Sequence, residues 1–213
     1  MVRLKLTEIF RSLQGEADTA GIPTVFVRLT GCPLRCQYCD TAYAFHGGEW
    51  AELQDVLRTV RAFDTHHVCV TGGEPLAQKG CIELLRSLCD AGLRVSLETS
   101  GAMDLKDVDS RVVKVVDVKT PGSGEESRNR YEELQGLKPT DLVKFVICSR
   151  EDYEWSRAKL EELQLAARCS VLFSPSHEQL QPGLLADWLL ADHLPVRFQI
   201  QLHKYLWGNV PGK

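Results

Sequence analysis

Several absences narrow the reading of this 213-residue chain. It has no run of eighteen apolar residues, so no membrane-spanning helix is expected. Its formal net charge is only -4, with no basic excess to neutralise phosphates, so no bulk nucleic-acid binding is expected. The N-terminal Met1–Glu8 segment lacks both a long apolar stretch and a small-residue cleavage site, so no signal peptide is expected. Internal repeats, low-complexity tracts and linkers are also missing, and residues 1–213 are expected to form one domain. Hydrophobic content of 44% and charged content of 25% are ordinary for a globular enzyme of this length.

What is present begins with cysteine. The chain has eight. Without secretion, disulfides are a weak reading, and a reducing cytoplasm is the expected compartment. Cys69, Cys81, Cys89, Cys148 and Cys169 lie in apolar patterns and are expected to be small buried residues. Cys32, Cys36 and Cys39 differ. They form C-x3-C-x2-C in the segment from Leu29 to Thr41. Three thiolates can hold three irons of a [4Fe–4S] cube. No fourth cysteine closes the motif, which leaves one iron open to an exogenous ligand, as catalysis requires. A structural Cys3His zinc site completed by His46 is the alternative. Its usual form pairs C-x2-C with a distant second pair, whereas these three are crowded into eight residues.

The chain alternates between strand and helix patterns. Apolar runs rich in Val, Ile and Leu span Thr24–Leu29, His67–Val70, Arg94–Leu97, Val112–Val118, Leu142–Ile147, Ser170–Phe173 and Val196–Leu202. Helical periodicity marks Glu52–Phe63, Cys81–Ala91, Asp152–Leu165 and Leu184–Ala191, and Thr120–Arg130 is loop-like. Such alternation predicts an α/β fold with a mostly parallel sheet. In such folds chemistry sits at the carboxyl ends of the strands. Five polar segments fall there: the cysteine loop, Thr71–Pro75, Glu98–Gly101, Lys119–Gly124 and Ser174–His177. Each alone could be a plain turn; together they make a rim. In Thr71-Gly-Gly-Glu-Pro75, paired glycines permit close backbone approach to a ligand, and Gly73 is expected to lie against it. The Glu74 carboxylate could accept hydrogen bonds from an amine.

The cysteine triad followed about thirty residues later by Thr71–Pro75 resembles the radical S-adenosylmethionine (SAM) superfamily. Glu8-Ile-Phe-Arg-Ser-Leu-Gln-Gly-Glu16, Val25–Arg28, Cys39-Asp-Thr41, Glu98-Thr-Ser-Gly101 and Leu202-His-Lys-Tyr-Leu-Trp-Gly-Asn209 narrow this further. They resemble the 7-carboxy-7-deazaguanine synthase family over nearly the whole chain.

The resemblance implies a shortened, partial TIM-like barrel of about six parallel strands with flanking helices, in a homodimer. It implies a carbon–nitrogen lyase reaction: 6-carboxy-5,6,7,8-tetrahydropterin becomes 7-carboxy-7-deazaguanine with loss of ammonia, feeding queuosine and related 7-deazapurines. A [4Fe–4S] cluster, SAM and Mg2+ are the implied cofactors. A one-electron reductant such as a flavodoxin-like protein is the implied partner. The substrate set carried over is Leu13, Gln14, Gly15, Glu16, Arg28, Thr71, Glu98 and His203. The SAM set is Tyr38, Asp40, Gly73, Glu74, Asp117, Lys119 and Ser174, and Thr41 would supply Mg2+ with an oxygen. No side chain is implied to carry the radical.

Plainer roles stand beside these. Arg28 could balance a neighbouring acid, Glu98 cap a turn, His203 be an ordinary hydrogen-bonded histidine, and Thr41 stabilise its loop. Asp117-Val-Lys119 replaces the Ser-Pro-Lys of other members, and Ser174-Pro175 replaces Gln-Pro. Gly208–Lys213 runs past the point where some members end. Two other readings remain: a small glycyl-radical-activating radical SAM enzyme, or a non-catalytic iron–sulfur electron carrier.

Overall fold

The computed structural model describes residues 2–210 and 212. One nine-stranded sheet organises them. Its strands are β1 (Arg3–Leu13), β2 (Pro23–Leu29), β3 (Glu49–Glu52), β4 (His67–Gly72), β5 (Arg94–Thr99), β6 (Val113–Val118), β7 (Leu142–Ile147), β8 (Ser170–Pro175) and β9 (Arg197–Phe198). The spatial order is β3-β1-β2-β4-β5-β6-β7-β8-β9. From β2 onward every pair is parallel, while β1 pairs antiparallel with both β2 and β3. The end strands β3 and β9 do not pair, so the sheet curls into a partial barrel of six full-length parallel strands and the short β9.

Helices cover the outer face: α1 (Leu53–Ala62), α2 (Cys81–Asp90), α3 (Arg150–Glu162) and α4 (Pro182–Ala191). The α1 stripe packs as expected, while on α2 Leu84 joins Leu85 and Leu88 in place of the expected Ile82, which is only partly buried. Leu53, Val56, Leu57 and Val60 of α1, with Leu84, Leu85 and Leu88 of α2, bury against Val25, Val27 and Leu29 of β2, Val68 and Val70 of β4, and Val95 and Leu97 of β5. A second cluster joins Tyr153 and Leu160 of α3 and Leu185 and Leu189 of α4 to Val143, Phe145 and Ile147 of β7 and Phe173 of β8. Each such side chain taken fully from water contributes about 1.5–3 kcal/mol.

The sequence reading needs four corrections. The expected strand over Val196–Leu202 is only Arg197–Phe198, because the chain turns at Leu202 into a short helix, α5 (Leu202–Trp207). The long strand β1 lies outside the Val/Ile/Leu runs because Lys5, Thr7, Glu8, Arg11 and Ser12 interrupt it; only Leu4 in it is fully buried. β3 is four residues at the sheet edge, too short and polar to signal itself. Cys148 is half-buried, unlike Cys69, Cys81, Cys89 and Cys169, because it lies just past the end of β7.

Candidate active site

Strand periodicity decides what faces inward. The alternation that sends Val25, Val27 and Leu29 to the helices sends Phe26 and Arg28 to the concave side. The same parity gives Thr71 on β4, Glu98 on β5, Val115 and Asp117 on β6, Lys144 and Val146 on β7, and Ser174 on β8. All of these line one cavity of about 630 Å3. The loops at the carboxyl ends of the strands close its rim.

Cys32, Cys36 and Cys39 line this cavity on the loop after β2. Among the described residues, no three His, Cys, Asp or Glu side chains gather closely enough to hold a single metal ion. The compact Cys3His arrangement is therefore not assembled, and His46 is not on the cavity wall. A cube bound through three different irons needs wider spacing than one zinc ion. As a free thiol, Cys36 is pushed up by burial to about 11; iron bound to it would favour the thiolate.

The Gly-Gly-Glu-Pro turn is fastened to this loop. Gly73 N–H donates to Leu29 O at 3.1 Å, and Glu74 N–H donates to Gly31 O at 2.8 Å. A Cβ on Gly73 would collide with Gly31 O and lie 2.8 Å from Cys32 Cβ. Gly73 lines the cavity, but the space its missing side chain frees is filled by the cysteine loop. The Glu74 carboxylate, expected to meet an amine, has a full set of partners of its own. Glu74 is fully buried off the cavity. It accepts hydrogen bonds from Thr99 Oγ1 (2.9 and 3.0 Å), Ser100 N (2.7 Å), Ser100 Oγ (2.6 Å) and Leu76 N (3.0 Å). Its charge is consumed in tying the β4 turn to the β5 turn.

On the other wall, Leu13 ends β1 and Gln14, Gly15 and Glu16 follow it. Arg28 Nε donates to Glu8 Oε1 at 2.7 Å, and Tyr43 OH donates to the same oxygen at 2.8 Å. Arg28 thus balances an acid and also faces the cavity. Thr71 Oγ1 donates to Glu98 Oε2 at 3.4 Å. Burial raises the Glu98 carboxyl, and Lys144 and Arg28 oppose that rise. His203 on α5 seats against Gly15, where any Cβ would strike its ring. Burial lowers its imidazole, leaving a neutral ring with one donor and one acceptor nitrogen.

On the cluster side, Asp117 Oδ2 accepts from Lys119 Nζ at 2.9 Å. Burial would strip the Lys119 proton, but Asp117 holds the ammonium charged. Asp117 Oδ1 and the Tyr38 hydroxyl are buried without a hydrogen-bond partner among the described residues. Both belong to residues on the cavity wall. Asp40 is committed elsewhere: Lys204 Nζ lies 2.8 Å from its Oδ2, Gln201 Nε2 donates to it at 3.0 Å, and Thr41 Oγ1 donates to its Oδ1 at 2.8 Å.

The Radical SAM superfamily sequence model matches residues 26–118. The chain is 44% identical over 208 residues to the 7-carboxy-7-deazaguanine synthase of Chlorobaculum tepidum, covering 96% of this chain and 94% of that protein. It is 42% identical to the synthase of the same name from Koribacter versatilis, covering 96% and 97%. The chain belongs to the 7-carboxy-7-deazaguanine synthase family. The crystal structure of QueE from Escherichia coli shares the fold, with a TM-score of 0.77 at 23% identity over 94% of this chain and 95% of that one.

Membership of the radical SAM family implies a [4Fe–4S] cluster and SAM. The residues fit both groups: three cysteines face one cavity, Gly72 and Gly73 line it beside them, and two orphaned polar atoms await partners. All the residues carried over from the 7-carboxy-7-deazaguanine synthase resemblance line the cavity, except Glu74. The sequence reading missed Lys144, Lys204, Tyr43 and Phe10, which also line it. Lys144 had a signal, as the single charge inside the apolar run Leu142–Ile147. Phe10 and Lys204 stood inside the quoted family motifs without being singled out, and Tyr43 had no signal.

Proposed function

We propose that this protein converts 6-carboxy-5,6,7,8-tetrahydropterin to 7-carboxy-7-deazaguanine with loss of ammonia, supplying 7-deazapurine and queuosine synthesis. The observation that carries this reading is one shared cavity. It holds the cysteine triad on one wall and Gln14, Arg28, Glu98 and His203 on the other. When bound, the cluster and SAM supply a one-electron reduction and a 5′-deoxyadenosyl radical able to take hydrogen from the pterin.

The chain's own residues bind, orient and shield. Cys32, Cys36 and Cys39 would hold the cluster. Tyr38, Gly73, Asp117, Lys119 and Ser174 would meet SAM, with the unpartnered Tyr38 hydroxyl and Asp117 Oδ1 as its polar contacts. Leu13, Gln14, Gly15, Glu16, Arg28, Thr71, Glu98 and His203 would receive the pterin. Carboxylates suit the donor edge of its guanine-like ring, and Arg28 suits its carboxylate. Thr41 spends its proton on Asp40, so the lone pairs of Oγ1 remain for a hard cation such as Mg2+.

Residues 1–213 read as one domain in a cytoplasmic enzyme; no described helix is long and apolar enough to cross a membrane. Exposed Pro33, Arg35 and Gln37 on the cysteine loop suit electron entry from a flavodoxin-like reductant. Exposed Leu184, Leu190 and Phe198 near the unpaired β9 edge suit a homodimer. The test is anaerobic reconstitution followed by incubation with reductant, SAM and the carboxy-tetrahydropterin. Formation of 7-carboxy-7-deazaguanine is expected; SAM consumption without that product would overturn the reading.

A further inference from the structure

Lys144 is a buried cation on the cavity floor. Its Nζ donates to Glu16 Oε2 at 3.1 Å and lies 3.9 Å from Asp117 Oδ2. The second contact is built into the sheet, because Asp117 and Lys144 are register partners on β6 and β7. The first is not. Glu16 lies 128 positions away, on the loop after β1. Glu16 Oε1 has no hydrogen-bond partner among the described residues, and Glu16 itself lines the cavity. Lys144 thus clamps one oxygen of this carboxylate and leaves the other free.

We infer that Lys144 is a positioning residue for substrate recognition: it fixes Glu16 as an acceptor whose Oε1 faces the amino and ring N–H donors of a guanine-type heterocycle. The inference rests on the pterin reading and names how that ring is held.

A carboxylate reads two adjacent N–H donors only while it is ionised; a protonated one presents a donor of its own. Glu16 has a hostile neighbour for this. Glu98 faces the same space from β5; burial raises its carboxyl, Lys144 opposes that rise and Glu16 adds to it. Arg28 from β2, Asp117 and Lys119 from β6, Asp40 on the cysteine loop, and His203 and Lys204 from α5 also line the cavity, with Lys204 committed to Asp40. Lys119 is committed to Asp117, Arg28 to Glu8, and His203 is neutral. Lys144 is the cation hydrogen-bonded to Glu16, and it also opposes the rise that burial imposes on the Glu98 carboxyl. Burial alone would discharge Lys144; Glu16, Asp117 and Glu98 hold its proton in place.

The test compares Lys144→Met, Lys144→Arg, Glu16→Gln and the double variant Glu16→Gln/Lys144→Met with the parent, as reconstituted enzyme. Iron content, SAM binding, and binding of the carboxy-tetrahydropterin and of 7-carboxy-7-deazaguanine are measured between about pH 6 and 9. Lys144→Met should keep iron and bind SAM within about threefold of the parent. Its affinity for both heterocycles near neutral pH should fall about ten- to a hundredfold, the range of a hydrogen bond to a charged group. The sign of the pH effect follows from the lost cation. Without Lys144 the Glu98 carboxyl holds its proton to higher pH, so affinity should recover as pH rises, while the parent stays flatter. Lys144→Arg should restore most of the affinity. The double variant should lose little more than Glu16→Gln alone.

Parent-like heterocycle affinity in Lys144→Met would overturn the inference. So would a loss shared equally by iron, SAM and heterocycle, or full additivity with Glu16→Gln. A parent that binds neither heterocycle overturns the proposed function itself, and this inference with it.

Discussion

A Cβ on Gly73 would lie 2.8 Å from the Cβ of Cys32. The glycine of the fourth-strand turn and the first cysteine of the triad are thus packed backbone to side chain. From sequence alone, Gly73→Val would be expected to weaken SAM binding and spare the cluster. The packing changes that expectation. Overfilling such a contact costs about 1–3 kcal/mol and here displaces the Cys32 backbone. Gly73→Val should lose iron and SAM binding together, read by iron analysis and by SAM titration of the reconstituted protein. Full iron content with selective loss of SAM would show that the cysteine loop absorbs the clash.

Changing any one of Cys32, Cys36 or Cys39 to Ala should abolish SAM cleavage and remove most of the bound iron. Substituting Cys148, which is half-buried and off the cavity wall, should do neither. A triple-Ala protein still carrying a full cluster would refute the assignment of the triad.

Glu74→Gln tests the corrected role of that residue. Glutamine keeps the shape but turns one acceptor oxygen into an NH2 group facing Thr99 and Ser100. Leaving buried donors without their acceptor costs about 1–3 kcal/mol. The expected outcome is a lower midpoint of thermal unfolding in the protein before any SAM is added. An unchanged midpoint would return Glu74 to ligand binding.

Thr41→Ala should keep the cluster and SAM binding but lose most turnover and the response to added Mg2+. Misplacing a substrate by about 1 Å costs on the order of a hundredfold in rate. Thr41→Ser should retain much of both. An alanine variant with the parent's Mg2+ response would place the ion elsewhere.

Lys204→Ala should loosen α5 and with it His203. Burial would raise the Asp40 carboxyl, but Lys204, Gln201 and Thr41 outweigh it and hold it below the usual carboxylate range. A depressed folded pKa contributes stability that is complete above the ordinary value of about 3.9 and is lost as pH falls below it. The parent should therefore lose stability to acid in this window more steeply than Lys204→Ala does, measured by unfolding midpoints across pH. Parallel acid profiles would show that the pair is idle.

Much of the architecture was legible because two periods are written plainly. Val25, Val27 and Leu29 announce a strand buried on its outer face, and Leu53, Val56, Leu57 and Val60 announce the helix over it. The site was legible where a motif carries chemistry in its spacing, as the cysteines do. It was illegible where side-chain direction matters. Nothing in Gly-Gly-Glu-Pro tells which way Glu74 points, and the answer depends on Thr99 and Ser100, twenty-five and twenty-six positions later. Lys144 was hidden for the opposite reason. A strand recognised by its apolar run draws attention away from its one charge, whose meaning lies with Glu16 on another strand's loop.

The meeting of residues 14–17 with residues 199–203 has a consequence for biogenesis. Ala17 and Gln199 exchange two hydrogen bonds across 182 positions, Leu202 N–H reaches Gly15 O, and His203 seats on Gly15. Domains fold as units and contacts this distant form last, at the greatest loop-closure cost. A nascent chain can therefore form the cysteine loop while the wall built on residues 14–17 still lacks its cover. Until α5 has left the ribosome, Gly15 has no His203 ring against it, and the cavity stays open on that side.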